Sequence, residues 1–187
     1  MRTFIGIPLP DEQRASLVRL QQQLLASGAD VRWVASEAIH VTLKFLGEID
    51  DTQRQAIAQA LQEIGKQTPS FALGLDGVGA FPSTSAPRVI WVGIGEGAEP
   101  LTRLAGAIEG AVGALVCRQE PRPFSPHITL GRVRSSRGRA ALTARLRNLA
   151  WSPLSSWRVS AYQLYQSVLS PTGPRYTVLA EIPLTVC

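Results

Sequence analysis

The sequence predicts an α+β fold built on antiparallel sheets. Three observations point there. Short β-prone runs alternate with stretches of helical period. Several runs come in hairpin-like pairs divided by turn-rich segments. No complete glycine fingerprint of a doubly wound parallel sheet comes after any of them.

Each element has its own signal. Residues 3–9 are apolar and β-prone. Asp11 then caps a segment in which Leu17, Leu20, Leu24 and Leu25 recur at helical spacing, an amphipathic helix. Residues 31–34 and 39–46 read as strands of one hairpin. A second helix runs over residues 52–66, started by Asp51 or Thr52. Residues 71–81 and 88–94 are two further strands joined by the turn-rich segment 82–87. A third helix spans residues 100–116, a strand covers 127–133 and a short helix covers 138–149. The last strand pair, 157–169 and 176–184, is divided at 170–174. Gly74, Gly77 and Gly79 do not form the dinucleotide fingerprint. Gly93, Gly95 and Gly97 lack its third glycine, where Ala98 stands, and no lysine comes after. Both groups read as turns.

Composition narrows the class of protein. The chain has 187 residues, 45% apolar and 18% charged, enough for one domain with a sizeable core or two small lobes sharing one. No apolar run approaches the roughly 18 residues of a membrane span. The first residues are apolar too briefly for a signal peptide and turn acidic at Asp11 and Glu12, which places the protein in the cytoplasm. Cys117 and Cys187 read as free thiols. Neither lies in a C-x-x-C pair, and a zinc site would need both of them with both histidines, which argues against one. The net charge is +5, and 17 of the 19 basic residues are arginine. That fits a compositional bias shared with alanine and glycine, or attraction to polyanions. Charge alone does not select RNA.

One internal repeat carries chemistry. His40-Val41-Thr42-Leu43 recurs as His127-Ile128-Thr129-Leu130, and these hold the only two histidines of the chain. Side chains alternate faces along a strand, so each histidine and its threonine share one face while Val41, Leu43, Ile128 and Leu130 point to a core. An imidazole titrates near neutrality, so one ring can be neutral and take a proton from water while the other, protonated, gives one to a departing oxygen. In-line displacement at phosphorus needs the two on opposite sides, with ring nitrogens about 5–7 Å apart. Thr42 and Thr129 would donate to the non-bridging oxygens.

The neighbours of the motifs divide between site and scaffold. Arg132 lies on the wrong face for strict alternation, but Gly131 before it suits a bulge that resets facing, which would make Arg132 a phosphate clamp. Six arginines and no acids fall between Arg132 and Arg147, a solvated basic face or a funnel for an RNA backbone. Phe45 is a candidate for stacking on a base, although strand period puts it with Val41 and Leu43 on the core side. The same period puts Lys44 with His40 and Thr42. Trp33 and Trp91 read as core or cleft wall.

At these residues the chain resembles the two-histidine phosphoesterases, and among them most the LigT-like RNA 2′,3′-cyclic phosphodiesterases. Residues 2–7, 39–47, 88–91, 122–132, 164–167 and 175–176 carry the likeness, which covers nearly the whole chain. The resemblance implies a bilobal fold of two pseudo-symmetric antiparallel sheets with outer helices and a central cleft. It implies one domain over residues 1–187, made of two intertwined lobes with one motif each. It implies metal-independent hydrolysis of a 2′,3′-cyclic phosphate to a 2′-phosphate, with no cofactor and an RNA or nucleotide end as partner. His40, Thr42, His127, Thr129 and Arg132 carry over as phosphate-site residues, with His40 as the acid to the leaving O3′ and His127 as the base on water. A monomer with no membrane partner is expected. Two competing functions stay open: a 2′–5′ RNA ligase acting on tRNA halves, and a non-catalytic RNA-end-binding module.

Overall fold

A computed structural model describes residues 1–116, 123–170 and 173–186. Among them the elements run in the order β1 (Arg2–Pro8), α1 (Asp11–Leu25), β2 (Val31–Trp33), β3 (His40–Glu48), α2 (Asp51–Gln67), β4 (Phe71–Leu73), β5 (Leu75–Phe81), β6 (Val89–Ile94), α3 (Ala98–Val112), β7 (His127–Val133), α4 (Arg139–Arg147), β8 (Trp157–Val159), β9 (Ala161–Ser170) and β10 (Gly173–Pro183). Cys117 and Cys187, whose thiols the sequence reads as free, lie outside the described residues.

Two four-stranded sheets form the body, one in the order β10-β9-β1-β3 and the other β2-β7-β6-β5, and β4 pairs with β8 apart from both. Every strand pairing is antiparallel. The predicted α+β class with two antiparallel sheets therefore holds. One unit is used twice along the chain: β1, α1, β3, α2 and then β6, α3, β7, α4, with the two strands of each unit side by side in one sheet.

Helices cover one face of each sheet. On the first sheet, the Tyr162 hydroxyl of β9 donates to the Leu61 carbonyl of α2 at 2.7 Å, and Lys44 of β3 pairs with Glu109 of α3. On the second, the Gln21 amide of α1 donates to the Leu130 carbonyl of β7 at 2.9 Å, and α4 packs beside α1. Leu17, Leu20 and Leu24 are fully buried, so the leucine stripe read from the sequence is the packed face of α1; Leu25, one step off the stripe, is 55% exposed. Each of the three buried leucines contributes about 1.5–3 kcal/mol of transfer free energy.

Four local readings are corrected. Residues 31–34 and 39–46 are not a hairpin: β2 pairs with β7 and β3 with β1, so the chain changes sheet between Trp33 and His40. Local pattern sees two strands close in sequence, and the pairing is settled by which sheet each buries its apolar face against. The strand read over 71–81 breaks at Gly74, with β4 pairing β8 and β5 pairing β6. Helix α2 is started by Asp50, whose carboxylate accepts the Gln53 backbone N–H at 2.7 Å while the Gln53 side chain accepts the Asp50 N–H at 3.0 Å. Asp11 is the first residue of α1 rather than its cap, and it sits with Glu12 in the turn where the helix dipole favours acids.

Candidate active site

His40 opens β3 and His127 opens β7, and these are the strands through which the two sheets meet. The face of each strand is set by its neighbour. On β3, His40 stands opposite Pro8, Thr42 opposite Gly6 and Phe45 opposite Phe4. On β7, His127 stands opposite Gly93, Thr129 opposite Trp91 and Arg132 opposite Val89. Val41 and Ile128 are fully buried between them, as period two requires.

The alternation then breaks at the same place in both motifs. Gly6 pairs with Thr42 and Ile5 with Lys44, which leaves Leu43 without a partner; Trp91 pairs with Thr129 and Ile90 with Gly131, which leaves Leu130 without one. Each leucine is the extra residue of a β-bulge, and each reverses the facing of the residues after it. Lys44 turns to the helix side, is 5% exposed and meets Glu109. Phe45 turns to the open side, next to the Phe4 ring at 6.1 Å, and is 42% exposed. Both outcomes reverse what strict alternation predicts. Arg132 likewise reaches the open side, exposed, while Gly131 takes the buried side, where Val31 and Trp33 fill the space a Cβ would need. The bulge expected near Gly131 is present, and it falls on Leu130.

Sequence reasoning missed the residue that holds this second bulge. The buried Gln21 amide donates to the carbonyls of Leu130 and Val34 at 2.9 and 2.8 Å, and the Val34 N–H donates to the same Leu130 oxygen at 2.9 Å. The only signal was a glutamine beside the leucine stripe of α1.

Both imidazoles are held by the same device. The Nδ1–H of His40 donates to the Ala38 carbonyl at 2.7 Å, and that of His127 donates to the Ser125 carbonyl at 2.7 Å. A carbonyl can only accept, so each Nδ1 carries its proton and Nε2 is the nitrogen left to exchange one. In the His40 ring Nε2 accepts the Thr42 hydroxyl at 2.8 Å; no matching bond joins Thr129 to His127 among the described residues.

Their surroundings differ. The Phe4 ring lies 4.6 Å from His40, with Tyr176 edge-on at 5.4 Å and Tyr165 at 6.3 Å. Gly6 lets the imidazole cross β1: a Cβ there would lie 3.1 Å from His40 Cδ2 and 2.8 Å from the Val41 oxygen. Burial among these rings lowers the His40 pKa to about 4, opposed by the bond to Ala38, so the free protein holds a neutral ring. The same desolvation pushes the Tyr165 hydroxyl up to about 12. His127 meets one ring, Phe81, edge-on at 5.2 Å. Trp91 lies 5.2 Å from Phe81 and spreads over Gly79, where a Cβ would meet its indole at 2.4 Å. It packs beside the ring that meets His127, where its sequence position allows either core or cleft wall. Trp33 packs with the core. No group of three or more metal-ligating side chains occurs among the described residues.

Known proteins are similar to this chain in sequence and in fold. The family described as LigT like Phosphoesterase matches twice, over residues 7–91 and 92–176. The chain is 35% identical over 166 residues to a protein of Aeropyrum pernix named RNA 2′,3′-cyclic phosphodiesterase, covering 89% of this chain and 93% of that one. A protein of the same name from Escherichia coli is 32% identical over 184 residues, covering 98% and 97%. Among solved structures, one from Thermus thermophilus has a TM-score of 0.81 at 30% identity, and E. coli LigT complexed with 3′-AMP has 0.79 at 29%, each covering 98% of both chains. With two copies of the motif on two matching strand units, and the family matched over both halves, this chain belongs to the LigT-like phosphoesterases.

Proposed function

We propose that this protein is an RNA 2′,3′-cyclic phosphodiesterase that opens a terminal cyclic phosphate to a 2′-phosphomonoester, with His40 and His127 as its acid–base pair and without a metal. The observation that carries the reading is the matched pair of imidazoles, each with Nδ1 fixed by a carbonyl and each with a threonine two residues on along the same strand. The relatives' name supplies the substrate class.

In this reaction water attacks phosphorus, its oxygen forming the new P–O bond as the bond to O3′ breaks. One imidazole takes the proton of the water and the other gives a proton to O3′. Thr42, Thr129 and Arg132 donate to the non-bridging oxygens as charge builds there, and Phe45 offers an exposed ring to the terminal base. The resemblance gives His40 the acid's part. Burial keeps that ring neutral in the free protein, so as acid it must gain a proton when the anionic phosphate arrives.

The chain acts as one domain of two intertwined lobes, a monomer in the cytoplasm. No helix among the described residues is long and apolar enough to cross a membrane. The deciding experiment is turnover of a cyclic-phosphate-ended RNA in EDTA, with the product's phosphate position identified. Loss of activity in EDTA, a 3′-phosphate product, or a joined 2′–5′ product from RNA halves with 5′-hydroxyl ends would each refute the reading.

A further inference from the structure

The three-residue strand β2 breaks the symmetry of the two sheets. In the first sheet β3 is an edge; in the second, β7 is flanked by β2. That strand pairs Val31 with Val133, Arg32 with Arg132 and Trp33 with Gly131. Val31 and Trp33 fill the buried side over Gly131, so the one side chain β2 sends to the open face is Arg32, directly opposite Arg132.

Residues directly opposite on antiparallel strands have Cβ atoms about 4.5–5.5 Å apart, and like charges in that position repel. Both arginines are exposed, and neither forms an ion pair among the described residues; Asp30, two residues before Arg32, forms none either. Two unneutralised guanidiniums on the face that carries His127 and Thr129 make a place for a bridging anion. From Thr129 the strand travels about 7 Å to Arg132, two rises with the bulge removed, so the long Arg132 side chain can reach back to the phosphate the threonine would hold, while Arg32, one strand further out, lies beyond it.

We propose that Arg32 is a substrate-binding residue that holds the phosphodiester on the 5′ side of the terminal nucleotide, with the fork of Arg132 bridging that group and the cyclic phosphate, so that the site selects the end of an RNA strand over a cyclic mononucleotide. This rests on the proposed function, in which the terminal cyclic phosphate reacts between the two histidines.

The test compares wild type, Arg32→Gln and Arg32→Lys on a 2′,3′-cyclic mononucleotide and on a dinucleotide ending in a 2′,3′-cyclic phosphate, which adds one phosphodiester. The wild-type preference for the dinucleotide in kcat/KM falls about tenfold in Arg32→Gln, carried by KM, and Arg32→Lys recovers part of it. In parallel, anisotropy measures binding of a labelled oligonucleotide ending in a 2′-phosphate, where Arg32→Gln lowers the slope of log affinity against log salt by about one. The melting temperature of Arg32→Gln equals or exceeds that of wild type, because a like-charge pair is removed. Equal losses on the two substrates, or an unchanged salt slope, would overturn the proposal. If wild type turns over neither substrate, the catalytic reading fails, and the binding arm still decides whether Arg32 holds a backbone phosphate.

Discussion

The two halves of the site use one backbone motif and give it two environments. His40 stands among Phe4, Tyr165 and Tyr176 and accepts the Thr42 hydroxyl; His127 has the edge of Phe81 and, among the described residues, no bond to its threonine. After the bulge, the first half presents Phe45 and the second presents Arg132. Beyond that, β3 ends its sheet while β7 has Arg32 beside it. Acid–base catalysis needs two titratable groups whose surroundings differ, and in the proposed function the repeat supplies the pair while the neighbours supply the difference. One half is apolar and keeps its imidazole neutral in the free protein; the other is cationic and suits phosphate.

The contrast between the halves breaks first at the histidines. His40→Ala and His127→Ala should each lower kcat on a cyclic-phosphate-ended RNA by about 10²–10⁴-fold, the share a positioned proton donor or acceptor supplies. Either variant keeping near-wild-type turnover would end the acid–base pairing.

The electrostatic difference is open to direct titration. Folded His40 has a pKa of about 4, below the 6.5 of an unfolded chain, so the unfolded state binds the proton first. Its contribution to stability is present above pH 6.5 and is lost as pH falls from 6.5 to 4, by up to roughly 3 kcal/mol. Chemical denaturation across that range should show a steeper decline for wild type than for His40→Gln, and imidazole NMR should find the ring neutral at pH 6. Parallel curves for the two proteins would show that the aromatic walls do not hold the ring neutral. The same NMR titration with a bound phosphate-ended product shows whether the ring gains the proton that service as acid requires.

The residues after the bulges sharpen the contrast. Arg132→Gln removes a charge-assisted bond of about 1.5–3 kcal/mol, so kcat/KM should fall about 10–100-fold whatever the terminal base. Phe45→Ala should cost about fivefold and should depend on the base, since stacking acts there. A base-dependent loss at Arg132 and a uniform one at Phe45 would invert the assignment of the two walls.

The smallest effect concerns the support of the second bulge. Gln21→Leu leaves the Leu130 and Val34 carbonyls short of a donor and should cost about 1–2 kcal/mol in denaturant unfolding. It should also raise KM more than it lowers kcat, because Arg132 is aimed through that bulge while His127 is held by Ser125. An equal fall in kcat would mean the bulge positions the imidazole as well.

Residue pattern alone pointed to the proposed acid–base pair and to the class of fold. His40 and His127 were legible because every histidine of the chain sits in a repeated motif, and the facing of Thr42 and Thr129 comes from strand period within one motif. The leucine stripe of α1 was legible because a helix in contact with a sheet must bury one face. The facing of the residues after Leu43 was not: Leu43 goes unpaired because Thr42 and Lys44 pair with the adjacent Gly6 and Ile5, and those partners are more than thirty residues away in the chain. Hence Lys44 and Phe45 exchanged faces against the period, while at Arg132 the glycine beforehand signalled the reset. The same holds for β2, whose partner β7 lies about a hundred residues on. Local sequence sets which residues can form a strand and which side chains carry protons, because these depend on the residue and its next neighbours. Register, sheet membership and the desolvation of His40 are properties of contacts between distant segments, and only the packed chain decides them.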